Sequence, residues 1–172
     1  MEGFLNPNKV LNNIKLRESM IACDFGSGSG GWAIPLAKRL KEGKVYAIDI
    51  LEEPLSALRS RANLEKVFNI ETIRSDVEKG TSINSNSVDL VLMTNLLFQI
   101  ENKKKVFAEA KRILKKGGEI LVIDWLAKVP FGPKKGRVSA ESVKKMAKDA
   151  KMKLKKKFAA GAYHFGLVFT KN

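Results

Sequence analysis

Two kinds of hydrophobic pattern alternate along the chain. Short runs rich in apolar residues predict buried strands, at residues 19–24, 44–49, 70–74, 88–93 and 119–124. Apolar residues spaced three and four positions apart predict helices, at residues 8–16, 32–41, 53–66, 103–116 and 139–151. Strands that alternate with helices in this way favour an α/β domain whose mostly parallel sheet is doubly wound and covered on both faces.

The end of the chain has a different pattern. Two further strands are predicted at residues 153–158 and 164–170, on either side of Ala159, Ala160 and Gly161. Only five residues separate these strands. Because a crossover between parallel strands needs a dozen residues or more, the last strand must run antiparallel in an otherwise parallel sheet.

The segments between the predicted elements are mostly short, with two longer loops at residues 75–87 and 125–138. The helix predicted at 103–116 ends on Lys115 and Lys116, and Gly117 follows. Cations in a last turn and a glycine just after it are typical of a helix C-terminus. We therefore expect this helix to end in a glycine cap.

The composition fits one globular domain, residues 1–172, with 44% hydrophobic residues. Cys23 is the only cysteine and His164 the only histidine, which excludes an intramolecular disulfide and leaves no metal site to expect. Residues 1–7 lack the basic and apolar parts of a signal peptide, and no segment reaches the roughly 18 apolar residues of a membrane span. We expect a cytoplasmic protein.

The net charge of +14 belongs to one half of the chain. Residues 1–100 carry 12 basic and 12 acidic side chains, whereas residues 101–172 carry 20 and 6. A neutral half beside a basic half suggests a small-ligand site attached to a surface that meets anions. Of the 32 basic residues 25 are lysine, however, and lysine-rich surfaces are also typical of soluble or thermostable proteins. Both interpretations stay open.

A glycine cluster closes the first predicted strand and opens the next helix. Gly26, Gly28 and Gly31 fit the dinucleotide-binding pattern, which is weak evidence on its own. The same stretch also has an acid, Asp24, followed by glycines at every second position up to Gly30. A carboxylate there would repel a pyrophosphate but could pair with a cationic amino-acid moiety. This favours S-adenosylmethionine as the cofactor.

Two later acids strengthen that interpretation. Asp49 ends the second predicted strand, where a carboxylate can accept hydrogen bonds from both ribose hydroxyls, and Ile50 follows with an apolar face for adenine. Asp76 follows the third strand, where it and the Val77 backbone can meet the adenine amino group. Three acids at neighbouring strand ends would converge where ligands bind in open parallel sheets.

With these motifs the sequence resembles class I S-adenosylmethionine-dependent methyltransferases, in particular the type 11 and ubiquinone/menaquinone C-methyltransferase-like group. The resemblance covers nearly the whole chain and rests on residues 4–7, 24–30, 45–49, 88–92, 112–118 and 163–169. It implies a Rossmann-like sheet of seven strands in the order 3-2-1-4-5-7-6, with the last strand antiparallel. The predicted cofactor-binding residues are Asp24, Gly26, Ser27, Gly28, Gly30, Asp49, Ile50, Asp76, Val77 and Asn95.

The methyl acceptor would lie beyond strands four and five. The acceptor-side candidates are Asn95, which could orient an acceptor by hydrogen bonds, Asp124, and Trp125, which could stack on a ring. Each also has an ordinary structural role open to it, as a helix cap, a backbone partner and a core residue respectively. His164 is predicted to be a structural histidine bonded to the backbone rather than a catalytic one.

Three functions remain open at this point. The acceptor is a small molecule, which we slightly favour, or it is RNA or an RNA-bound protein. In the second case a phosphate-binding face would come from the lysine-rich segments 103–105, 134–137, 144–148 and 155–157. Third, the chain binds the cofactor without methylating, or a partner subunit completes its acceptor site. Larger relatives carry an inserted lid that this chain lacks, which motivates this third function. The oligomeric state stays open.

Overall fold

The computed structural model describes residues 5–172. Phe4, which belongs to the motif at residues 4–7, and the three residues before it lie outside the described residues. The expectation that residues 1–7 form no signal peptide therefore falls mostly outside them too. In the part of the chain that is described, no helix has the length and apolar character needed to cross a membrane.

The described residues form one seven-stranded sheet. Its strands are β1 (Ile21–Phe25), β2 (Lys44–Asp49), β3 (Ile70–Arg74), β4 (Val88–Thr94), β5 (Leu114–Trp125), β6 (Met152–Ala160) and β7 (His164–Lys171). They lie in the order β3-β2-β1-β4-β5-β7-β6. All pairings are parallel except those of β7, which runs antiparallel to both β5 and β6. The predicted fold class, strand order and antiparallel ending are confirmed.

Helices cover both faces of the sheet. They are α1 (Pro7–Leu11), α2 (Ala33–Arg39), α3 (Glu52–Leu64), α4 (Lys103–Ile113) and α5 (Ala140–Asp149), with a short 3-10 turn at Leu97–Gln99. Apolar side chains of α1, α2 and α3 pack on one face, and those of α4 and α5 pack on the other. Because strand side chains alternate between the faces, neighbouring residues of one strand enter different cores.

The predicted C-terminus of α4 is wrong. The helix ends at Ile113, and Lys115, Lys116 and Gly117 form an irregular part of β5 instead of a last turn and a glycine cap. The last helical carbonyls are capped by distant groups. The backbone N–H groups of residues 86 and 87 donate to the carbonyls of residues 112 and 113, and the Lys171 ammonium donates to those of residues 111 and 114.

The crossover at residues 75–87 contains no helix, as predicted. A carboxylate on α4 holds it: Glu109 Oε1 accepts hydrogen bonds from Thr81 N and Oγ1 at 2.8 and 2.7 Å. The Arg112 guanidinium pairs with Glu109 and donates to the carbonyls of Thr81 and Ile83. Glu109 is 8% exposed, and a buried carboxylate with several donors fixes its partners firmly.

Candidate functional site

The glycine loop after β1 fits the pattern of an acid followed by glycines at every second position, rather than the dinucleotide-binding pattern that includes Gly31. Gly26, Gly28 and Gly30 all have positive φ angles, of 70°, 51° and 87°. At Gly30 a Cβ atom would lie 2.8 Å from Leu58 Cγ, whereas a Cβ at Gly31 would meet nothing within 4 Å. The alternating glycines, and not Gly31, are therefore the positions that the backbone requires.

Asp24 lies at the end of β1 beneath this loop and is fully buried. Neither carboxylate oxygen has a hydrogen-bond partner among the described residues. Burial, and then the nearby Asp49 carboxylate, raise the pKa of Asp24 to about 8. The backbone N–H of Ala33 opposes this rise without making a hydrogen bond of regular geometry. A buried carboxyl group without a donor is a favourable place for a cation to bind.

Asp49 ends β2 and is bound to the glycine loop. Its Oδ2 accepts a hydrogen bond from Gly28 N at 2.9 Å, and its Oδ1 accepts one from Leu51 N at 3.0 Å. These two bonds fix the carboxylate at the carboxyl edge of the sheet. Each oxygen keeps a lone pair for a further donor.

A cavity of about 230 Å³ opens beside Asp49. Half of the ten predicted cofactor residues line it: Gly26, Asp49, Ile50, Asp76 and Val77. The lining also includes residues that the sequence did not single out, namely Ile48, Ser75, Glu78, Leu96, Gln99 and Ile100. Several of these follow β3 or β4 at the same edge, so their nearness to predicted strand ends was the available signal.

The other five predicted cofactor residues, Asp24, Ser27, Gly28, Gly30 and Asn95, are not among the residues lining this cavity. Ser27 is buried and its Oγ atom has no partner among the described residues. Asp24 lies near Asp49, which lines the cavity and whose negative charge raises the pKa of Asp24. Gly28 is related to the cavity through its hydrogen bond to Asp49.

The third acid, Asp76, lies beyond β3. Its Oδ1 accepts a hydrogen bond from Glu78 N at 2.9 Å, and its Oδ2 lies 3.4 Å from Lys79 Nζ. Val77 beside it is buried. The carboxylate and the apolar side chain thus stand side by side at the end of the cavity away from the glycine loop.

Asn95 follows β4 and has a backbone conformation that is uncommon for a non-glycine residue, with a φ of 50°. Its backbone N–H donates to the carbonyl of Ile123 at 2.8 Å, which holds it against β5. The side-chain Oδ1 is buried and has no partner among the described residues, so it does not cap the turn that follows. Backbone strain and an unmet polar atom together are typical of functional positions.

Asp124 is fully buried at the end of β5. Its two oxygens accept hydrogen bonds from the backbone, Oδ2 from Leu97 N at 3.1 Å and Oδ1 from Trp125 N at 2.8 Å. Burial raises the pKa of Asp124 to about 6, against these two bonds and the more distant charge of Lys103. The carboxylate thus joins the turn after β4 to the end of β5.

Trp125, the last residue of β5, is packed between a histidine and the loop that follows. Its ring centroid lies 4.1 Å from that of His164. The Arg137 guanidinium carbon lies 6.0 Å from the ring centroid, which is within cation–π range. The backbone at Gly132 rests on the indole, since a Cβ there would lie 2.5 Å from the ring.

A larger groove, of about 610 Å³, lies elsewhere, between α4 and α5 at the opposite edge of the sheet. Its lining includes Lys104, Lys111 and Lys171 but none of the predicted site residues. Ligands of open parallel sheets bind at the carboxyl edge, so the smaller cavity is the candidate site. No group of three acidic, histidine or cysteine side chains suited to a metal occurs within residues 5–172.

A family model described as a methyltransferase domain matches residues 23–122, which include the glycine loop, the three acids and Asn95. The chain belongs to this family. Its matched segment therefore begins in β1 and ends within β5. The family and the fold imply S-adenosyl-L-methionine as the cofactor of this methyltransferase domain.

Individual relatives agree with the family. Over 112 residues the methyltransferase domain is 30% identical to the ubiquinone/menaquinone biosynthesis C-methyltransferase UbiE of Hydrogenovibrio crunogenus, covering 64% of this chain and 44% of that protein. It is 27% identical to the demethylmenaquinone methyltransferase of Staphylococcus aureus, covering 67% and 47%. The matched region is thus less than half the length of these relatives.

A solved structure is similar over almost the whole chain. The crystal structure of a SAM-dependent methyltransferase from Aquifex aeolicus superposes with a TM-score of 0.91 at 28% identity, covering 98% of this chain and 90% of that one. The residues of the methyltransferase domain also fit the cofactor chemically. A buried carboxyl without a donor, at Asp24, suits an ammonium group, and the fixed Asp49 carboxylate suits a pair of hydroxyls.

Proposed function

We propose that this chain transfers a methyl group from S-adenosylmethionine to a small, flat acceptor molecule. The observation that carries this proposal is the juxtaposition at one sheet edge of the acid-led glycine loop, the fixed Asp49 carboxylate and the cavity beside it. A phosphate-containing cofactor would bring negative charge towards the Asp49 carboxylate, which is bound to the glycine loop. A cofactor with an ammonium, a sulfonium and a ribose brings the opposite charge and the right donors.

Each part of the cofactor has a proposed partner. Asp24 and the loop residues Gly26, Ser27, Gly28 and Gly30 hold the amino-acid end. Asp49 accepts hydrogen bonds from the ribose hydroxyls. Ile50, Asp76 and Val77 surround the adenine, and the Asn95 side chain binds near the reacting end. This assignment gives the buried polar atoms of Asp24, Ser27 and Asn95 the partners that they lack among the described residues.

When bound, S-adenosylmethionine supplies an electrophilic methyl carbon, and the electron pair of the broken carbon–sulfur bond stays on sulfur. The protein's task is therefore to hold the acceptor in line with that bond and to exclude water. Asn95 and Trp125 are proposed to do this, by a hydrogen bond and by stacking. Asp124 is proposed to position them, since both of its oxygens bind the backbone of Leu97 and Trp125.

The names of the relatives point to a quinone-type acceptor. A ubiquinone/menaquinone C-methyltransferase and a demethylmenaquinone methyltransferase both act on ring compounds by those names. Trp125, Phe131 and Tyr163 form a group of aromatic rings near the end of β5, and such rings stack well on ring compounds. We infer that residues 1–100 mainly hold the cofactor and residues 101–172 mainly hold the acceptor.

One of the cations predicted to bind RNA phosphates, Arg137, is bound to other groups of the protein. The guanidinium of Arg137 donates to the carbonyls of Leu126, Ala127, Val129, Phe131 and Pro133, so it is engaged inside its own loop. Lys155 pairs with Glu119, and Lys144 pairs with Glu141. Lys134 and Lys135 remain exposed, so RNA stays an outcome of the test.

The deciding experiment follows a radioactive methyl group. The protein is incubated with tritiated S-adenosylmethionine and a fractionated bacterial extract, and in parallel with 1,4-naphthohydroquinone under anaerobic conditions. We expect label in the small-molecule fraction and in the extracted naphthohydroquinone. Label in the RNA fraction would support the alternative acceptor. Binding of S-adenosylhomocysteine without any transfer would support a non-catalytic or partner-dependent role.

A further inference from the structure

The buried polar side-chain atoms without a hydrogen-bond partner are concentrated in one place. Within residues 5–172 they belong to four residues only, Asp24, Ser27, Asn95 and His164. Asp24 and Ser27 lie at the end of β1, Asn95 follows β4, and His164 begins β7 beside the end of β5. All four therefore lie along the carboxyl edge of the parallel strands, where ligands of this fold class bind.

Three of these residues have a proposed partner in the cofactor, and His164 does not. In the strand order, β5 and then β7 lie beyond β4, on the side away from β1 and its glycine loop. Neighbouring strands are about 4.8 Å apart, so His164 lies roughly 10 Å beyond the Asn95 strand. That displacement places His164 on the acceptor side of the site.

No neighbouring strand supplies His164 with a polar partner. It is paired with Trp125 in β5 and with Ala160 in β6, neither of which offers an acceptor side chain. His164 is 5% exposed, and neither Nδ1 nor Nε2 has a hydrogen bond to any of residues 5–172. The backbone-bonded histidine predicted from sequence is therefore wrong. Buried polar groups are rarely left unpaired in native proteins, and leaving both ring nitrogens unpaired is costly.

The imidazole is suited to a neutral ligand. Burial lowers the pKa of His164, so the ring is uncharged at neutral pH. An uncharged imidazole has one N–H donor and one nitrogen acceptor. A hydroxyl group, which donates and accepts, is the simplest partner for it.

We propose that His164 is the acceptor-binding residue that hydrogen-bonds a hydroxyl group of the methyl acceptor while Trp125 stacks on the acceptor ring. The proposal rests on the proposed function, because it assumes that an acceptor occupies this edge. It adds a contact that the sequence motifs do not include.

The acceptor reaches His164 when the loop at residues 126–138 moves and the Trp125 indole shifts off the imidazole. This loop covers Trp125, which in turn covers the imidazole. It is organised around Arg137, whose guanidinium binds five of its own carbonyls. Leu126 N donates to the Tyr163 carbonyl outside the loop, so the part that moves is the segment beyond Leu126. Its carbonyls at residues 127, 129, 131 and 133 stay bound to Arg137 during the movement.

The test removes the hydroxyl from the ligand and the nitrogens from the protein in turn. The probes are 2-naphthol and naphthalene, titrated calorimetrically onto protein saturated with S-adenosylhomocysteine. The proteins are the wild type, His164→Phe, which keeps a ring against Trp125, and His164→Gln, which keeps a donor and an acceptor. For each protein we take the ratio of its affinity for 2-naphthol to its affinity for naphthalene. We expect this ratio to be about tenfold larger in the wild type than in His164→Phe, as the loss of one buried hydrogen bond predicts. His164→Gln should recover part of that preference.

A preference for 2-naphthol that is the same in the wild type and in His164→Phe would overturn the proposal, and would indicate a water-bound or purely structural histidine. A second measurement does not depend on folding of the variants. His164 is the only histidine, so the nitrogen resonances of ¹⁵N-histidine-labelled protein need no assignment. They should shift further with 2-naphthol than with naphthalene, and equal shifts with the two probes would also overturn the proposal. Failure of the wild type to bind S-adenosylhomocysteine would instead contradict the proposed function.

Discussion

The two halves of the sheet present their polar groups in opposite ways. Every residue lining the 230 Å³ cavity belongs to residues 1–100, and the acids there stand at an open edge. On the other side, Trp125 and His164 are stacked on each other beneath the loop at residues 126–138. The proposed cofactor half, residues 1–100, thus has a preformed cavity, whereas the proposed acceptor half, residues 101–172, has its polar group covered.

This difference suggests that the cofactor binds before the acceptor. A preformed site accepts its ligand with little rearrangement, whereas a covered one requires movement before it can bind. The excess charge lies in the same half as the covered site, but the cations nearest Trp125 do not all face outwards. Arg137 is held inside its loop. Net charge alone therefore says little about which anion, if any, this half meets.

The largest expected effect concerns Asp49, which fixes the cofactor half. Replacement by alanine removes the acceptor of the Gly28 and Leu51 N–H bonds and the proposed ribose contact. We expect Asp49→Ala to weaken S-adenosylhomocysteine binding by about 100-fold or more, measured by calorimetry. The matched control is Asp149→Asn on α5, an exposed acid of the other half, which should leave binding unchanged. Equal effects of the two variants would contradict the division between the halves.

The second effect concerns the stability of the cofactor-free protein. The unfolded chain releases the Asp24 proton near the ordinary pKa of 3.8, whereas the folded chain keeps it until about pH 8. The contribution of this carboxyl to stability is therefore fully present below pH 3.8 and is lost as the pH rises through 8. Asp24→Asn should stabilise the free protein by several kcal/mol at pH 8 and hardly at all at pH 4.

Urea unfolding at the two pH values measures this difference. The same variant should bind S-adenosylhomocysteine more weakly than the wild type, because the amide cannot pair with an ammonium group as a carboxylate does. A variant that loses stability at pH 8 would show that Asp24 has a partner in the free protein.

A third, smaller effect should be confined to the acceptor half. Arg137→Gln removes the group that binds five loop carbonyls, so the loop should open more often. We expect trypsin to cleave after Lys134 and Lys135 roughly tenfold faster than in the wild type. The affinity for S-adenosylhomocysteine should stay within about twofold. Loss of cofactor affinity would show that the two halves are coupled through this loop.

The smallest effect is expected from the exposed cations. The double variant Lys134→Gln, Lys135→Gln should change methyl transfer to 1,4-naphthohydroquinone by less than about twofold, since exposed charges contribute little to binding a neutral molecule. Binding to a 20-nucleotide RNA, titrated at several salt concentrations, is the comparison. A steep salt dependence that the double variant reduces would favour the RNA alternative.

Much of the fold could be predicted from the sequence, because local hydrophobic patterns determine most of the strands and helices. The strands at 44–49 and 70–74 have the predicted bounds, since each ends in a clear change of pattern. The end of α4 could not be predicted in this way. Lys115 and Gly117 resemble a local cap, but the actual caps come from residues 86–87 and from Lys171, which are distant in sequence.

The candidate site also has features that local patterns predict and features that depend on residues distant in sequence. Asp24, Asp49 and Asp76 were expected at one edge because parallel strands end together, and the structure places them there. The lack of a hydrogen-bond partner for His164 depends on what the two neighbouring strands, β5 and β6, fail to offer it, and no local sequence pattern contains that information. Trp125 was recognisable as an aromatic residue at a strand end, but its cover by Gly132 and Arg137 was not.

The hydrogen bonds of Glu109 have a consequence for how such enzymes diversify. The acid lies in the acceptor half, yet its carboxylate holds Thr81, and with it the segment that carries Asp76 and Val77 towards the cavity. A chimaera joined near residue 100 would inherit one side of this contact without the other. A new second half without an acceptor at the position of Glu109 would leave Thr81 N and Oγ1 without these two bonds, and the segment leading to Asp76 would lose its anchor.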